Sequence, residues 1–353
     1  MSLLNRKTAE LVPYTPGEQP KGEKYIKINT NENPYPPSPK ALEAAVKAVC
    51  EDLKLYPDPD MSRFIDAIAG FENVPRECIM AGNGSDELLA FSFSAFFEPQ
   101  AQPVLFPDVT YSFYPVYCRE YRVNYKEIPL DDNFNINPQD YSIPNGGIII
   151  ANPNAPTGIA LGINDIRRLA KAAGGVLIID EAYAAFGGET SKGLLEELDN
   201  ILIVKTLSKS HSLAGMRAGY CIGSPELIDG IKRVKNSFNS YTMDRVAIEC
   251  AAAALEDKEY FRCNTECIIN TRNRVSARLR EMGFLVLPSS ANFIFISLPG
   301  TDGERLAGYY RENRILVRHL KSERIREWLR VSIGTDADMD EFLRVSCEFM
   351  VNR

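Results

Sequence analysis

The middle of the chain alternates short, unbroken apolar runs with amphipathic stretches. The runs are residues 103–106, 148–151, 176–179 and 201–204. They are continuous rather than alternating, as expected of parallel strands covered on both faces. Between the second and third lies a helical pattern over residues 165–173, closed by Gly174-Gly175. Strand, helix and strand in that order predict an α/β domain with a large, mostly parallel sheet. The last third changes period. Residues 244–282 predict helix broken near Lys258, residues 291–298 and 315–317 predict strands, and residues 338–351 a closing amphipathic helix. That order predicts a smaller α+β domain at the C-terminal end.

The first 37 residues follow neither period, being rich in Pro, Asn and Gly. Residues 31–37 cannot be helix, because each proline removes a donor and biases its predecessor to extended geometry. An irregular arm joined to the small domain is expected there. Ser38 then caps a helix with Pro39 in its first position, and Leu42, Ala45, Val46 and Val49 recur at helical spacing as its apolar face. The expected organisation is an arm over 1–37, a large domain over 38–245 and a small domain over 246–353. A chain of 353 residues suits two domains and needs no disulfide or metal to hold a core.

Charge and composition narrow the chemistry. A net charge of −7 and a pI near 5.2 argue against a nucleic-acid partner. No apolar run is long enough for a membrane span, and residues 1–24 lack the apolar core of a secretory signal, so a cytoplasmic protein is expected. The eight cysteines form no C-x-x-C. Cys263 and Cys267 lie one helical turn apart without a second pair, so buried free thiols are expected. With only His211 and His319, a multi-histidine zinc site is excluded, and the absence of G-x-S-x-G argues against a serine hydrolase.

In open α/β sheets ligands bind outside the carboxyl ends of the strands. The run 148–151 is followed by residues 152–158 (NPNAPTG), the run 176–179 by Asp180 and Tyr183, and the run 201–204 by Ser208 and Lys209. Three strands thus deliver a turn, an acid with a tyrosine, and a lysine to one edge. Residues 207–219 contain no acid but include Arg217. A lysine beside a cation, partly desolvated and without a carboxylate, has a lowered pKa, as a Schiff-base lysine needs. Gly82-Asn83-Gly84-Ser85-Asp86, before a helix over 87–97, could present backbone N–H groups to a phosphate. Arg217 could hold the same anion. Tyr111, the first of four aromatics within 111–117, could stack on a flat ring. Each feature alone has an ordinary structural reading, as a cap, a turn or core. Together they ask for an aromatic cation carrying an aldehyde and a phosphate, which is pyridoxal 5′-phosphate.

The sequence resembles the fold-type-I, pyridoxal-phosphate-dependent aminotransferases, in ordered motifs along nearly the whole chain. These are residues 31–38 (NENPYPPS), 82–87 (GNGSDE), 180–183 (DEAY), 206–220 (TLSKSHSLAGMRAGY), Asn239-Ser240-Tyr241, Asp244-Arg245, 291–295 (ANFIF) and 329–335 (LRVSIGT). Within the family it is most similar to the branch that exchanges an amino group between L-histidinol phosphate and 2-oxoglutarate, yielding glutamate. The resemblance implies that Lys209 forms the covalent link to the cofactor and moves the proton. Asp180 would pair with the ring nitrogen and Tyr183 with the ring's phenolic oxygen, while Tyr111 stacks on the ring. Ser85, Asp86, Ser208 and Arg217 would bind its phosphate. It further implies a homodimer in which Tyr56 reaches the neighbouring copy's phosphate and the arm packs on the partner. Arg330, with Arg318, would bind the substrate's anion, and Tyr14 and Asn31 would lie near the substrate.

One position departs from the family pattern. Ala155 stands where the family carries an asparagine that contacts the ring's phenolic oxygen. Asn154 is a candidate substitute, though the motif does not assign it that role, and His211 reads as packing. Other readings of the same residues are an aromatic amino acid aminotransferase, a threonine-phosphate decarboxylase and a cofactor-binding regulator. The regulator would require a separate basic domain that the chain lacks.

Overall fold

The computed structural model describes residues 3–20, 22 and 24–351. Residues 1, 2, 21 and 23 of the expected arm, and 352 and 353 of the expected small domain, lie outside the described residues. The strands in chain order are β1 (Ile26–Lys27), β2 (Ile79–Gly82), β3 (Val104–Pro107), β4 (Tyr125–Ile128), β5 (Gly147–Ala151), β6 (Val176–Asp180), β7 (Ile201–Thr206) and β8 (Gly219–Gly223), then β9 (Leu285–Val286), β10 (Phe293–Ser297), β11 (Ile315–Leu316), β12 (Arg318–His319) and β13 (Trp328–Ser332).

Strands β2 to β8 form one seven-stranded sheet in the order β2-β8-β7-β6-β5-β3-β4. Every neighbouring pair is parallel except those made by β8, which runs against both β2 and β7. Alternate residues of the central strands enter different cores. Ile149, Ile178 and Leu202 pack under the helices Ser62–Glu72, Gly84–Phe96 and Arg245–Glu256. Ile148, Ile150, Leu177 and Ile179 pack against Ile166 and Leu169 of the helix Ile163–Ala172. Both faces are therefore covered, which is why these strands read as unbroken apolar runs.

A third core lies around β10 and β13, an antiparallel pair, with Ile268, Val275 and Leu279 of the helix Lys258–Glu281 and Phe342 of Asp336–Val351. The arm is tied into it. β1 pairs in parallel with β11, and Ile28 is buried among these residues.

Several expectations change. The arm is not wholly irregular: it holds the helix Arg6–Glu10 as well as β1. The helix Pro39–Ala48 forms with Ser38 as its cap, accepting from the Ala41 N–H. Of its apolar face, Leu42, Val46 and Val49 are 48%, 75% and 62% exposed, while Ala45 packs against the core. The helix expected over 87–97 is Gly84–Phe96, so Ser85 and Asp86 lie in its first turn rather than capping it. The cysteines are free, but only Cys118, Cys221 and Cys250 are buried, while Cys50, Cys263, Cys267 and Cys347 are exposed. Among the described residues no helix is long and apolar enough to cross a membrane, and no cluster of His, Cys, Asp and Glu could hold a metal ion.

Candidate active site

Because β2, β3, β5, β6 and β7 run the same way, the residues that follow them share one edge of the sheet. The register places Ala151 beside Asp180, Asp180 beside Val204, and both Gly82 and Thr206 beside Gly219. The antiparallel β8 brings its start, with Arg217 just before it, to the same edge. At that edge lies a cavity of about 320 Å³. All the expected site residues line it except Tyr56: Ser85, Asp86, Tyr111, Asp180, Tyr183, Ser208, Lys209 and Arg217 from the large sheet's side, and Tyr14, Asn31, Arg318 and Arg330 from the arm and the small sheet. Tyr56 lies apart, 77% exposed and stacked on Tyr241 at 4.6 Å.

One end of the cavity is built for an anion. The first turn of Gly84–Phe96 leaves the Ser85 and Asp86 N–H groups without intrahelical acceptors. Gly84 sits at φ +80°, and a Cβ there would meet the Arg217 guanidinium at 2.8 Å. A Cβ on Gly219 would meet the Ser85 nitrogen at 2.7 Å. Both glycines are needed for the strand start, the helix start and the arginine to close round one small space. Ser208 lies in the short helix Leu207–Ser210, and its N–H donates to the Thr206 hydroxyl at 3.2 Å. Arg217 pairs with Asp86 at 3.3 Å, and Tyr111 donates to the other oxygen of that carboxylate at 3.0 Å.

Asp180 closes the middle of the site. One carboxylate oxygen accepts from the Ala182 N–H at 3.0 Å, the other from the Tyr114 hydroxyl at 3.5 Å. No cation pairs with it among the described residues. Burial pushes its pKa up to about 7, and Asp86 adds to the shift. Such a carboxylate is set to receive a buried positive charge.

Lys209 and Arg330 face the remaining space. The Lys209 ammonium donates to the Thr30 carbonyl at 3.3 Å. Burial lowers its pKa to about 8, with Arg330 the next cause; Arg217 contributes least, and Glu32 and Asp86 oppose the shift. The lowered amine expected from the acid-free sequence is thus present, but desolvation and an arginine distant in sequence produce it. Arg330, on β13, donates to the Asn29 carbonyl at 3.1 Å and lies 5.6 Å from the Phe293 ring. Its Nε is buried without a partner, burial lowers its pKa, and no carboxylate pairs with it among the described residues. Arg318, its register partner on β12, holds the Thr15 carbonyl at 3.1 Å.

Tyr183 is half-buried, and burial raises its phenol pKa. Asn31 donates to its oxygen at 3.0 Å. Ala155 packs with Ala291, Phe293 and Tyr183. Asn154 does not compensate for Ala155. Its amide donates to the Val109 carbonyl and Thr157 hydroxyl, its oxygen accepts from Thr110, and it does not line the cavity. His211 is packing, stacked on Phe261 at 4.6 Å, with its pKa lowered to about 4 by burial. The residue-level reading missed Glu32 and Thr30, which line the cavity, and Asn33, which donates to the Lys209 carbonyl at 2.8 Å. The motif 31–38 containing Glu32 and Asn33 was visible, but only Asn31 was drawn from it, and Thr30 lies just before it.

Similarity to known proteins agrees with this geometry. Residues 23–345 match the family described as aminotransferase class I and II. A histidinol-phosphate aminotransferase of Pseudomonas syringae pv. syringae is 50% identical over 328 residues, 93% of each chain. One of Clostridium acetobutylicum is 51% identical over 340 residues, 96% of each chain. Among solved structures, the histidinol-phosphate aminotransferase of Sinorhizobium meliloti in complex with pyridoxal-5′-phosphate superposes with a TM-score of 0.84 at 23% identity, covering 100% of this chain and 98% of that one. Aspartate aminotransferase of Thermus thermophilus gives 0.82 at 20% identity, covering 98% and 100%. These two establish the shared fold.

Proposed function

This chain belongs to the class I and II aminotransferase family, and from that premise we propose that it moves the amino group of L-histidinol phosphate to 2-oxoglutarate, giving imidazole acetol phosphate and L-glutamate in histidine biosynthesis, with pyridoxal 5′-phosphate as cofactor. The observation that carries the reading is a pair of half-buried cations, Lys209 and Arg330. They face one cavity, and neither has a carboxylate partner among the described residues.

The residues fit the cofactor. The glycine-lined cradle of Ser85, Asp86, Ser208 and Arg217 suits its phosphate, and Asp180, strained by its own buried charge, suits its cationic ring nitrogen. Tyr111 lies where a ring can stack, and Tyr183 where its hydroxyl can meet the phenolic oxygen. When bound, the ring withdraws electrons from the substrate carbon that carries the amino group. Lys209, whose amine gives up its proton more readily than a free lysine, takes and returns the proton at that carbon. Arg330 binds the donor's phosphate and, in the second half-reaction, the acceptor's carboxylate, since a planar guanidinium meets both bidentately. Arg318 flanks it, with Tyr14 on the neighbouring wall.

The assembly completes the reading. Leu42, Val46, Val49, Leu53, Leu55 and Phe238 are exposed, as are the stacked Tyr56 and Tyr241. A second copy would cover this face and bring Tyr56 to the neighbour's phosphate, so we propose a homodimer, located in the cytoplasm. The arm (1–37), large domain (38–245) and small domain (246–353) are the proposed units; the two sheets have separate cores, and the helix Arg245–Glu256 at the start of the proposed small domain packs in the core of the large sheet.

The test is absorbance of purified protein with added cofactor, before and after L-histidinol phosphate, without keto acid. The visible band of a lysine-linked cofactor should appear and then be lost on adding the donor. A band that persists with this donor but is lost with phenylalanine or tyrosine would overturn the donor assignment. Carbon dioxide released from threonine phosphate would overturn the reaction type.

A further inference from the structure

Asn31 is 1% exposed, and each of its polar groups has a partner. Its backbone N–H donates to the Ser332 hydroxyl at 2.8 Å, and its carbonyl accepts from Asn292 at 3.0 Å. Its side-chain oxygen accepts from Ser332 at 2.9 Å, and its side-chain NH₂ donates to the Tyr183 hydroxyl at 3.0 Å. The orientation of that amide follows from hydrogen-bond logic. The backbone N–H can only donate, so the Ser332 oxygen must accept it. The one Ser332 hydrogen then needs an acceptor, and the Asn31 side-chain oxygen supplies it. Reversing the amide would leave a buried hydroxyl hydrogen with nothing to bind, an unfavourable state at a residue only 2% exposed.

The consequence falls on Tyr183. Its oxygen already accepts from Asn31, so its own hydrogen is left for the cavity. Ala155, packed against its ring, offers no hydrogen-bonding group on that wall. We propose that Asn31, held by Ser332, is a positioning residue that aims the Tyr183 hydroxyl hydrogen at the ligand's oxygen, rather than a residue that grips substrate. This rests on the aminotransferase reading and deepens it.

The experiment is a pH titration of the visible band in holoenzyme carrying Asn31→Gly or Ser332→Ala. Glycine keeps the left-handed backbone of position 31 (φ 55°) without strain, and neither change adds charge. Without Ser332 the amide is free to reverse and take the phenol hydrogen for itself. Both variants should move the titration midpoint upward by about half to one pH unit, because a ring oxygen deprived of a well-aimed donor holds its neighbouring proton more tightly. In a Tyr183→Phe background neither should add a further shift. An unmoved midpoint in both single variants overturns the proposal, as does an equal shift with Tyr183 already replaced. A raised KM for donor that persists in the Tyr183→Phe background, with no shift in midpoint, would make Asn31 a substrate contact. Wild-type protein showing no band at all would overturn the cofactor reading itself and this proposal with it.

Discussion

A lysine amine attacks a carbonyl only when neutral, and burial, with Arg330 next, eases deprotonation of Lys209 by lowering its pKa to about 8, with two carboxylates pulling the other way. Replacing it with alanine should abolish turnover in a steady-state assay; substantial catalysis by that variant would sink the assigned mechanism. Ala155→Asn adds a donor beside Tyr183 and should shift the visible band's midpoint downward, the opposite of Asn31→Gly; an unchanged titration would show that position 155 does not reach the ring oxygen. His211 gives a stability prediction. Its folded pKa is lowered from 6.5 to about 4, so the folded state binds fewer protons than the unfolded chain between those values. Stability should therefore fall as pH drops from neutral to 5, by on the order of 2 kcal/mol from this group. Asp180 has the opposite sign. Its raised pKa makes the apoprotein lose stability as pH rises from about 4 to 7. Comparing urea midpoints of wild type and His211→Phe at pH 7 and 5 isolates the histidine, because Asp180 is common to both.

Strands β3, β5, β6 and β7 were legible because they are buried on both faces, and the residues after them followed from strand direction alone; the mostly exposed parallel strand β4 left no apolar run to read. What was not legible is instructive. β2 and β8 are four and five residues ending in glycine, too short and too small for a period to register, yet β8 delivers Arg217. The spacing of Leu42, Val46 and Val49 records that a face is apolar, never what covers it. Long-range pairing is hidden in the same way. Lys205 on β7 joins Glu72 of Ser62–Glu72 at 2.9 Å and Glu181 after β6 at 3.4 Å, and Tyr220 on β8 donates to Glu72 at 2.6 Å. The Glu72 and Glu181 carboxylates are nearly inaccessible. This cluster ties the strands just behind Asp180 and Lys209. Lys205→Met should cost about 3–5 kcal/mol, since it strands two buried carboxylates. Thermal unfolding of the variant checks this, and a loss under about 1 kcal/mol would mean that Lys192, 3.4 Å from Glu72, takes over the pairing.

At the scale of the whole molecule, the site draws on the large sheet, the small sheet and the arm, and the proposed homodimer would add a second copy to that list. A tyrosine 77% exposed and stacked on another tyrosine is not explained by the stability of a single chain. A dimer that shares its sites predicts a specific rescue. Tyr56→Ala homodimers should hold the cofactor weakly, and Lys209→Ala homodimers should be inactive. In a mixed dimer, the site built on the Tyr56→Ala copy keeps its own Lys209 and receives an intact Tyr56 from the other copy. Unfolding and refolding the two variants together at equal amounts makes half the dimers mixed, each with one rebuilt site of two, so activity should recover to about a quarter of wild type. If Tyr56 instead acts within its own chain, mixing recovers nothing beyond the average of the two variants. Val46→Asp, which places a charge on the exposed apolar stripe of Pro39–Ala48, should lower the mass seen in sedimentation and weaken cofactor retention together. Loss of the dimer with retention unchanged would separate the interface from the site and leave Tyr56 a structural contact.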